Sequence, residues 1–151
     1  MKLGIIGSRT LTVENLEDYI PEGVTEIISG GAKGIDTCAQ KYADEHGLKM
    51  TVFLPKYEKF GRAAPVYRNA DIVAHSDKVI AFWDGASKGT FGALKLCRQK
   101  NIPCKIYLHG ANGYSELPPC MEEKYFKKPT KSQKAFGESL YDLLTQNDAN
   151  S

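Results

Sequence analysis

A single α/β domain, with a parallel sheet of about five strands and helices on both faces, is predicted by three features of this chain. Short apolar runs rich in β-branched residues recur along it, segments with apolar residues at helical spacing separate them, and glycine or proline marks the junctions. Alternation of this kind implies right-handed crossovers between parallel strands.

Lys2–Gly7 (KLGIIG) reads as the first strand, ending in glycine, and Val13–Ile20 as a helix, with Leu16, Tyr19 and Ile20 at helical spacing. Val24–Ser29 is a second strand that runs into Gly30 and Gly31. Ile35, Cys38, Ala39, Tyr42 and Ala43 then trace one face of a helix, which Gly47 stops. Lys49–Leu54 is a third strand closed by Pro55. A polar, aromatic-rich loop from Lys56 to Gly61 leads into a helix over Ala64–His75. Lys78–Trp83 (KVIAFW) is the most strand-like segment. After Asp84 and Gly85, Phe91, Leu94 and Cys97 mark another helix, which Pro103 terminates before a fifth strand, Cys104–Leu108. The domain is thus expected over residues 1–109. Residues 110–151 read as an appendage: a loop with Gly110, Gly113, Pro118 and Pro119, a lysine run, and an amphipathic helix around Gln133–Leu144.

Composition narrows the function classes. At 151 residues, 42% hydrophobic and 25% charged, the chain has the balance of one globular domain. A formal charge of +2 demands neither nucleic acid nor a membrane surface. No stretch approaches the roughly 18 apolar residues of a membrane span, and Met1 runs straight into a strand pattern, so a cytoplasmic protein is expected. Cys38, Cys97, Cys104 and Cys120 have no CxxC spacing; buried reduced thiols are expected at the first two. His46, His75 and His109 are widely separated, and no metal or cofactor is expected.

In a parallel sheet ligands bind outside the carboxyl ends of the strands, where neighbouring crossovers diverge. Three strand ends carry the unusual residues: Gly7-Ser8-Arg9, Gly30-Gly31-Ala32-Lys33-Gly34, and Asp84-Gly85-Ala86-Ser87-Lys88-Gly89-Thr90. Glycines there let backbone N–H groups approach a ligand, and the following helix directs its positive end at the same spot, so phosphate is the natural occupant. Ser87 and Thr90 either donate to phosphate or cap a helix. Arg9 offers a guanidinium at the first strand end. Arg68 and Asn69 interrupt an apolar helix, where the arginine would clamp a ribose phosphate and the amide would read a base or sugar hydroxyl. Asp36, in the first turn of its helix, suits either a structural cap or a ribose contact. Trp83, Tyr57 and Phe60 could stack on a base, although packing is the ordinary role of a tryptophan ending a core strand. The chain has neither GxxxxGK[ST] nor GxGxxG, which argues against P-loop nucleotide hydrolysis and dinucleotide dehydrogenation.

Gly7-Ser8-Arg9, Ser29 through Asp36, Tyr67-Arg68-Asn69 and Trp83-Asp84-Gly85-x-Ser87-x-Gly89-Thr90 together resemble the SLOG superfamily. That group takes in the lonely-guy phosphoribohydrolases, the Rossmann domain of the DNA-processing protein DprA, and small YspA-like proteins. The resemblance spans Met1 to Leu108 and implies a Rossmann-like fold with a pocket for nucleotides or nucleotide-derived signals. In the phosphoribohydrolases an arginine precedes the fourth strand and a glutamate stands three residues beyond a Gly-Thr pair. Arg68 and Gly89-Thr90 match, but the glutamate position is Ala93. Cleavage of an N-glycosidic bond builds positive charge on the ribose that a carboxylate stabilises and alanine does not.

The expectation is a binding module: a sensor or sequestering protein for an ADP-ribose-like or cyclic nucleotide. Its ligand contacts would be Gly7, Ser8, Arg9, Gly30, Gly31, Ala32, Gly34, Asp36, Arg68, Asn69, Asp84, Ser87, Gly89 and Thr90. One alternative is a nucleotide N-glycosidase in which Asp36 or Asp84 supplies the missing charge, with Arg68 as a further catalytic candidate. A second is single-stranded DNA binding of the DprA kind, drawing on Lys124, Lys127, Lys128, Lys131 and Lys134, against which the near-neutral charge argues. Homo-oligomerisation is expected through Phe136, Leu140, Leu143 and Leu144, as relatives of this kind often dimerise.

Overall fold

The computed structural model describes residues 1–118 and Phe126. Met1–Glu116 form one compact unit, built on a six-stranded sheet in the order β3-β2-β1-β4-β5-β6. The strands are β1 (Lys2–Gly7), β2 (Glu26–Ser29), β3 (Lys49–Val52), β4 (Lys78–Trp83), β5 (Cys104–Gly110) and β6 (Gly113–Glu116). The helices are α1 (Ile35–His46), α2 (Tyr57–Phe60), α3 (Ala64–His75) and α4 (Lys88–Gln99). β1 to β5 pair in parallel and β6 pairs antiparallel with β5. This is the doubly wound, Rossmann-like α/β fold expected.

Strand alternation sorts the core into two faces. Leu3 and Ile5 of β1, Ile27 of β2, and Ile80 and Phe82 of β4 pack with Ile35, Ala39 and Ala43 of α1 in one cluster. The intervening positions face α3 and α4. A Cβ at Gly4 would run into Ser76 and Val79, whereas one at Gly7 would run into Ile35 of α1. α3 and α4 lie against each other and bury Ile72, Val73, Leu94 and Cys97. α1 ends as its sequence dictates, with Gly47 in the left-handed conformation at φ +63.

Several elements depart from expectation. The segment Val13–Ile20 is not an α-helix; it runs irregularly, with one 3₁₀ turn at Leu16–Asp18. Its apolar residues are core residues all the same: Val13 and Leu16 are buried, as is Leu11 just before them, and the Tyr19 ring meets Phe82 and Tyr107 edge-on at 5.2 and 4.8 Å. Packing onto the sheet one residue at a time, not along a stripe, satisfies the pattern without a helix. β3 stops at Val52, and the segment between Lys56 and Gly61 carries the short α2.

The last departure is β6, which lies where a loop was expected. Gly110-Ala111-Asn112-Gly113 makes a tight hairpin, with Gly113 at φ +94, so the compact unit passes His109 and runs to Glu116. The hairpin braces the loop that follows β1. Tyr114 donates its hydroxyl to Thr12 O at 2.9 Å, in the loop that carries Arg9, and burial pushes its pKa up to about 12, so it remains a donor. The second unit begins at Leu117. Cys120, the lysine run from Lys124 to Lys134 and the helix expected at Gln133–Leu144 lie outside the described residues. Among the described residues no helix is long and apolar enough to cross a membrane, and no group of three or more metal-ligating side chains occurs.

Candidate functional site

β1 and β4 are central neighbours whose connections leave in opposite directions, β1 toward β2 and β4 toward β5. That divergence is the switch point at which a crevice opens beyond the carboxyl ends. Here it is a cavity of about 350 Å³, at the small end of the range for small-molecule sites. Four segments wall it: the β1 loop, the start of α1, one face of α3, and the β4 loop with the first turns of α4.

The β1 loop contributes Gly7, Ser8, Arg9 and Thr10. Ser8 N–H donates to Phe82 O at 3.1 Å, extending the β1–β4 ladder by one residue, and Leu11 N–H closes a turn on Ser8 O at 3.2 Å. The Ser8 side chain is thereby fixed at the base of the crevice, 1% exposed. Its hydroxyl lies near enough to Asp84 to favour that carboxylate, but not in hydrogen-bonding geometry, and is buried without a partner. Arg9 is exposed at the rim.

α4 points its N-terminus into the same space. Its N-cap is Ser87, whose hydroxyl lies 3.2 Å from Thr90 Oγ1 and makes no cap bond, and its first turn holds no acidic residue. First-turn N–H groups have no intrahelical acceptor, so those of Gly89 and Thr90 are available to an anion. Asp84 shapes this turn: its Oδ1 accepts from Ala86 N–H at 2.9 Å and Ser87 N–H at 2.6 Å. Burial pushes the Asp84 pKa up, but those two N–H groups, with the nearby Ser8 hydroxyl and the residue's own N–H, hold the carboxyl below its ordinary value. Trp83 packs: it is buried, donates from Nε1 to Ser87 O at 3.0 Å and stacks on Phe91. Phe60 stacks on Tyr67 at 4.0 Å between centroids, and neither Tyr57 nor Phe60 lines the cavity.

α3 supplies the principal cation. Arg68 is 7% exposed; its Nη1 donates to Gly30 O at 2.8 Å and its Nε to Asn69 Oδ1 at 2.9 Å. Asn69 in turn donates from Nδ2 to Gly89 O at 3.3 Å, so this amide braces α3 against α4 and steadies the guanidinium. Arg68 Nη2 makes no hydrogen bond, and the guanidinium makes no ion pair among the described residues. Burial pushes its pKa down, and Asp36 opposes the shift.

Asp36, in the first turn of α1, reaches back so that Oδ2 accepts Ala32 N–H at 3.0 Å. Burial pushes its pKa above the usual 3.8, against the pull of Ala32 N–H, Arg68, the nearby Ser29 hydroxyl and Arg9. Ser29 Oγ, like Ser8 Oγ, is buried without a hydrogen-bond partner. A carboxyl whose pKa is raised on folding costs stability once it ionises. The wild type therefore loses this contribution as pH rises from 3.8 through the folded value. Asp36→Asn, which keeps an acceptor for Ala32, is expected to raise the melting temperature at neutral pH, and the gain should vanish below 3.8; thermal melts across pH check it.

Gly30, Gly31 and Gly34 do not line the cavity, although the sequence places them beside a phosphate. Protein fills the space over each. A Cβ on Gly30 would sit 2.5 Å from Arg68 Nη1, one on Gly31 2.8 Å from Val52 Cγ1, and one on Gly34 2.5 Å from Arg9 O. This glycine run lets the arginine and the β1 loop close over the start of α1. Gly89 differs: it lines the cavity, and a Cβ there would meet nothing within 4 Å.

Of the residues singled out in the sequence, Gly7, Ser8, Arg9, Ala32, Asp36, Arg68, Asn69, Asp84, Ser87, Gly89 and Thr90 meet at this cavity. Ile6, Thr10, Pro65 and Ile72 also line it and were not anticipated. Pro65 and Ile72 stand three residues before and four after Arg68, so helical spacing from the arginine marks them. Ala93, where the phosphoribohydrolases carry glutamate, lines the cavity too, 1% exposed. Searches of this chain against protein-family models, curated proteins and solved structures find no match in any of the three.

Proposed function

We propose that this cavity binds a phosphate-bearing nucleotide or nucleotide-derived signal, as the SLOG-like motifs imply, and that the protein is a sensor or sequestering module. One observation carries the reading: among the described residues the buried guanidinium of Arg68 has no ion pair and a spare Nη2 where an uncapped helix end and the unpartnered Ser8 hydroxyl converge. A buried cation whose nearby carboxylate, Asp36, makes no direct ion pair with it is only partly compensated, and a phosphate lessens that cost. The phosphate sits against the Gly89 and Thr90 N–H groups and Ser8 Oγ, with Arg68 and Arg9 as its cations. A cavity of about 350 Å³ takes one phosphate and a sugar most readily, with the remainder toward the rim. Residues of this unit alone furnish these contacts, and oligomerisation is proposed only as an addition to them.

Trp83 is the sole tryptophan, and its indole N–H is bonded to the residue that opens α4, so its single ¹⁵N–¹H resonance is a direct reporter. Titration with adenosine monophosphate or a cyclic nucleotide should shift that resonance in a saturable way; no shift with any nucleotide would reject the site. Gly89→Ala should leave the apo protein as stable or slightly more so, since alanine is favoured in a helix, while its methyl enters the cavity and weakens the ligand by about tenfold. The same titration reads it.

A second reading, a nucleotide N-glycosidase, draws on the opposite pKa shifts of two cavity carboxyls, Asp36 up and Asp84 down. Asp36 would protonate the leaving base as the C1′–N bond breaks and its electron pair departs with the base. Asp84 would face the ribosyl cation until water adds and returns a proton to Asp36. Chromatographic release of free base would establish this reading, and recovery of intact nucleotide would reject it. Ala93 weighs against it.

A further inference from the structure

Resting on the anion-binding reading above, we propose that Asp36 sets the affinity of the cavity by its own ionisation, sharing the Arg68 cation with a bound anion when it is a carboxylate and yielding that cation when it is a neutral acid. The site would then bind its anion more tightly as pH falls.

The geometry supports this in three ways. Asp36 is fixed, because Ala32 N–H holds its Oδ2 against the cavity wall and keeps the side chain from swinging out to solvent. It feels Arg68 electrostatically without forming an ion pair with it, so the guanidinium is not committed to Asp36 and remains open to a ligand. Both side chains line one cavity, so an anion bound to Arg68 is brought close to a like charge on Asp36, in a setting where charges are poorly screened.

The groups around Asp36 leave it alone to titrate. Arg68 faces it from α3, Arg9 from the β1 loop, and the Ser29 hydroxyl from the end of β2; the Tyr57 phenol acts on Arg68 from α2. Asp84, on the β4 side, is held ionised by Ala86 and Ser87 N–H. No histidine lines the cavity. Arginines keep their charge in both protonation states of Asp36, and burial raises the Asp36 pKa above its ordinary 3.8. By linkage an anion that binds the neutral form better must also draw a proton onto Asp36 as it binds.

Inorganic sulfate is the probe, because it keeps the same charge across the whole range, whereas a phosphate monoester gains a proton near pH 6. Its affinity is read from the Trp83 indole resonance of the full chain, in wild type and in Asp36→Asn, with chloride at matched ionic strength as control. The wild type should bind sulfate about tenfold more tightly at pH 3.8, where a carboxyl with its pKa raised above that value is mostly protonated, than at about pH 7.5. Asp36→Asn should vary by less than about twofold over that range and match, at the upper pH, the wild type at the lower. Wild-type affinity independent of pH would overturn the proposal and leave the anion site standing. Weaker sulfate binding by Asp36→Asn than by wild type at about pH 7.5 would also overturn it, making the carboxylate an organiser of the site. No sulfate response in either protein at any pH would reject the anion site itself, and the proposal with it.

Discussion

Arg68→Ala is expected to lower nucleotide affinity by about 30-fold or more, equivalent to about 2 kcal/mol, the usual cost of removing one member of a desolvated charge pair. Three roles end together in this variant. The only buried cation of the cavity is lost among the described residues, the Nη2 donor is lost, and Gly30 O and Asn69 Oδ1 lose their donors, which loosens the α3–α4 brace. Arg68→Lys separates these contributions. Lysine restores the charge but not the planar fork that holds Gly30 O and Asn69 while leaving a third nitrogen for the ligand. An affinity between those of wild type and alanine, about tenfold below wild type, is expected by calorimetry. A lysine variant equal to wild type would mean that charge alone is read at this position.

The largest effect on stability is expected from Gly34→Ala. Gly34 sits at φ +74 and ψ −119 as the N-cap of α1, a region essentially confined to glycine, and a Cβ there would lie 2.5 Å from Arg9 O and 2.7 Å from Leu11 O. Both obstacles are backbone in a loop fastened by the Ser8 and Tyr114 hydrogen bonds, so neither yields as a flexible side chain would. Backbone strain and overpacking together give a destabilisation of about 4 kcal/mol. For a chain of this size that is a fall of about 10 °C or more in melting temperature by calorimetry. Gly47→Ala is the control, because Gly47 also has positive φ but open space around its Cβ position. It should cost only about 1 kcal/mol, the left-handed backbone penalty alone.

These two positions illustrate what the sequence makes legible. Arg68 stands out because a charged residue interrupts the apolar face of α3, a local conflict that a functional site resolves. The strands β1, β2 and β4 announce themselves as apolar runs ending in glycine or at an Asp-Gly turn, and their carboxyl ends locate the crevice. Gly34 is equally visible as a glycine, but its neighbour is not. Whether the space over it belongs to a phosphate or to Arg9 and Leu11 depends on how the β1 loop folds across α1, which no local pattern encodes. The same holds for Gly30, whose space is taken by a side chain 38 residues away. Ser8 is marked in the sequence by its place in the Gly7-Ser8-Arg9 strand end, but its isolation as a buried hydroxyl comes from the ladder bond to Phe82. Val13–Ile20 misled because Leu16, Tyr19 and Ile20 have helical spacing yet reach the sheet singly. The hairpin before β6 did carry a signal, two glycines flanking Ala111-Asn112, outweighed in the sequence by the proline and lysine content beyond it.

The central claim is that a phosphate-bearing nucleotide derivative is held intact in the crevice between β1 and β4. The most direct test incubates the purified protein with nucleoside monophosphates, NAD, ADP-ribose and cyclic nucleotides, follows thermal stability, and then analyses what the denatured sample releases. At least one compound should raise the melting temperature and be recovered unchanged, with the stabilisation clearly reduced in Arg68→Ala. Free base or ribose phosphate in the released material would contradict the binding-module reading in favour of hydrolysis, and no stabilisation by any compound would contradict the phosphate site itself.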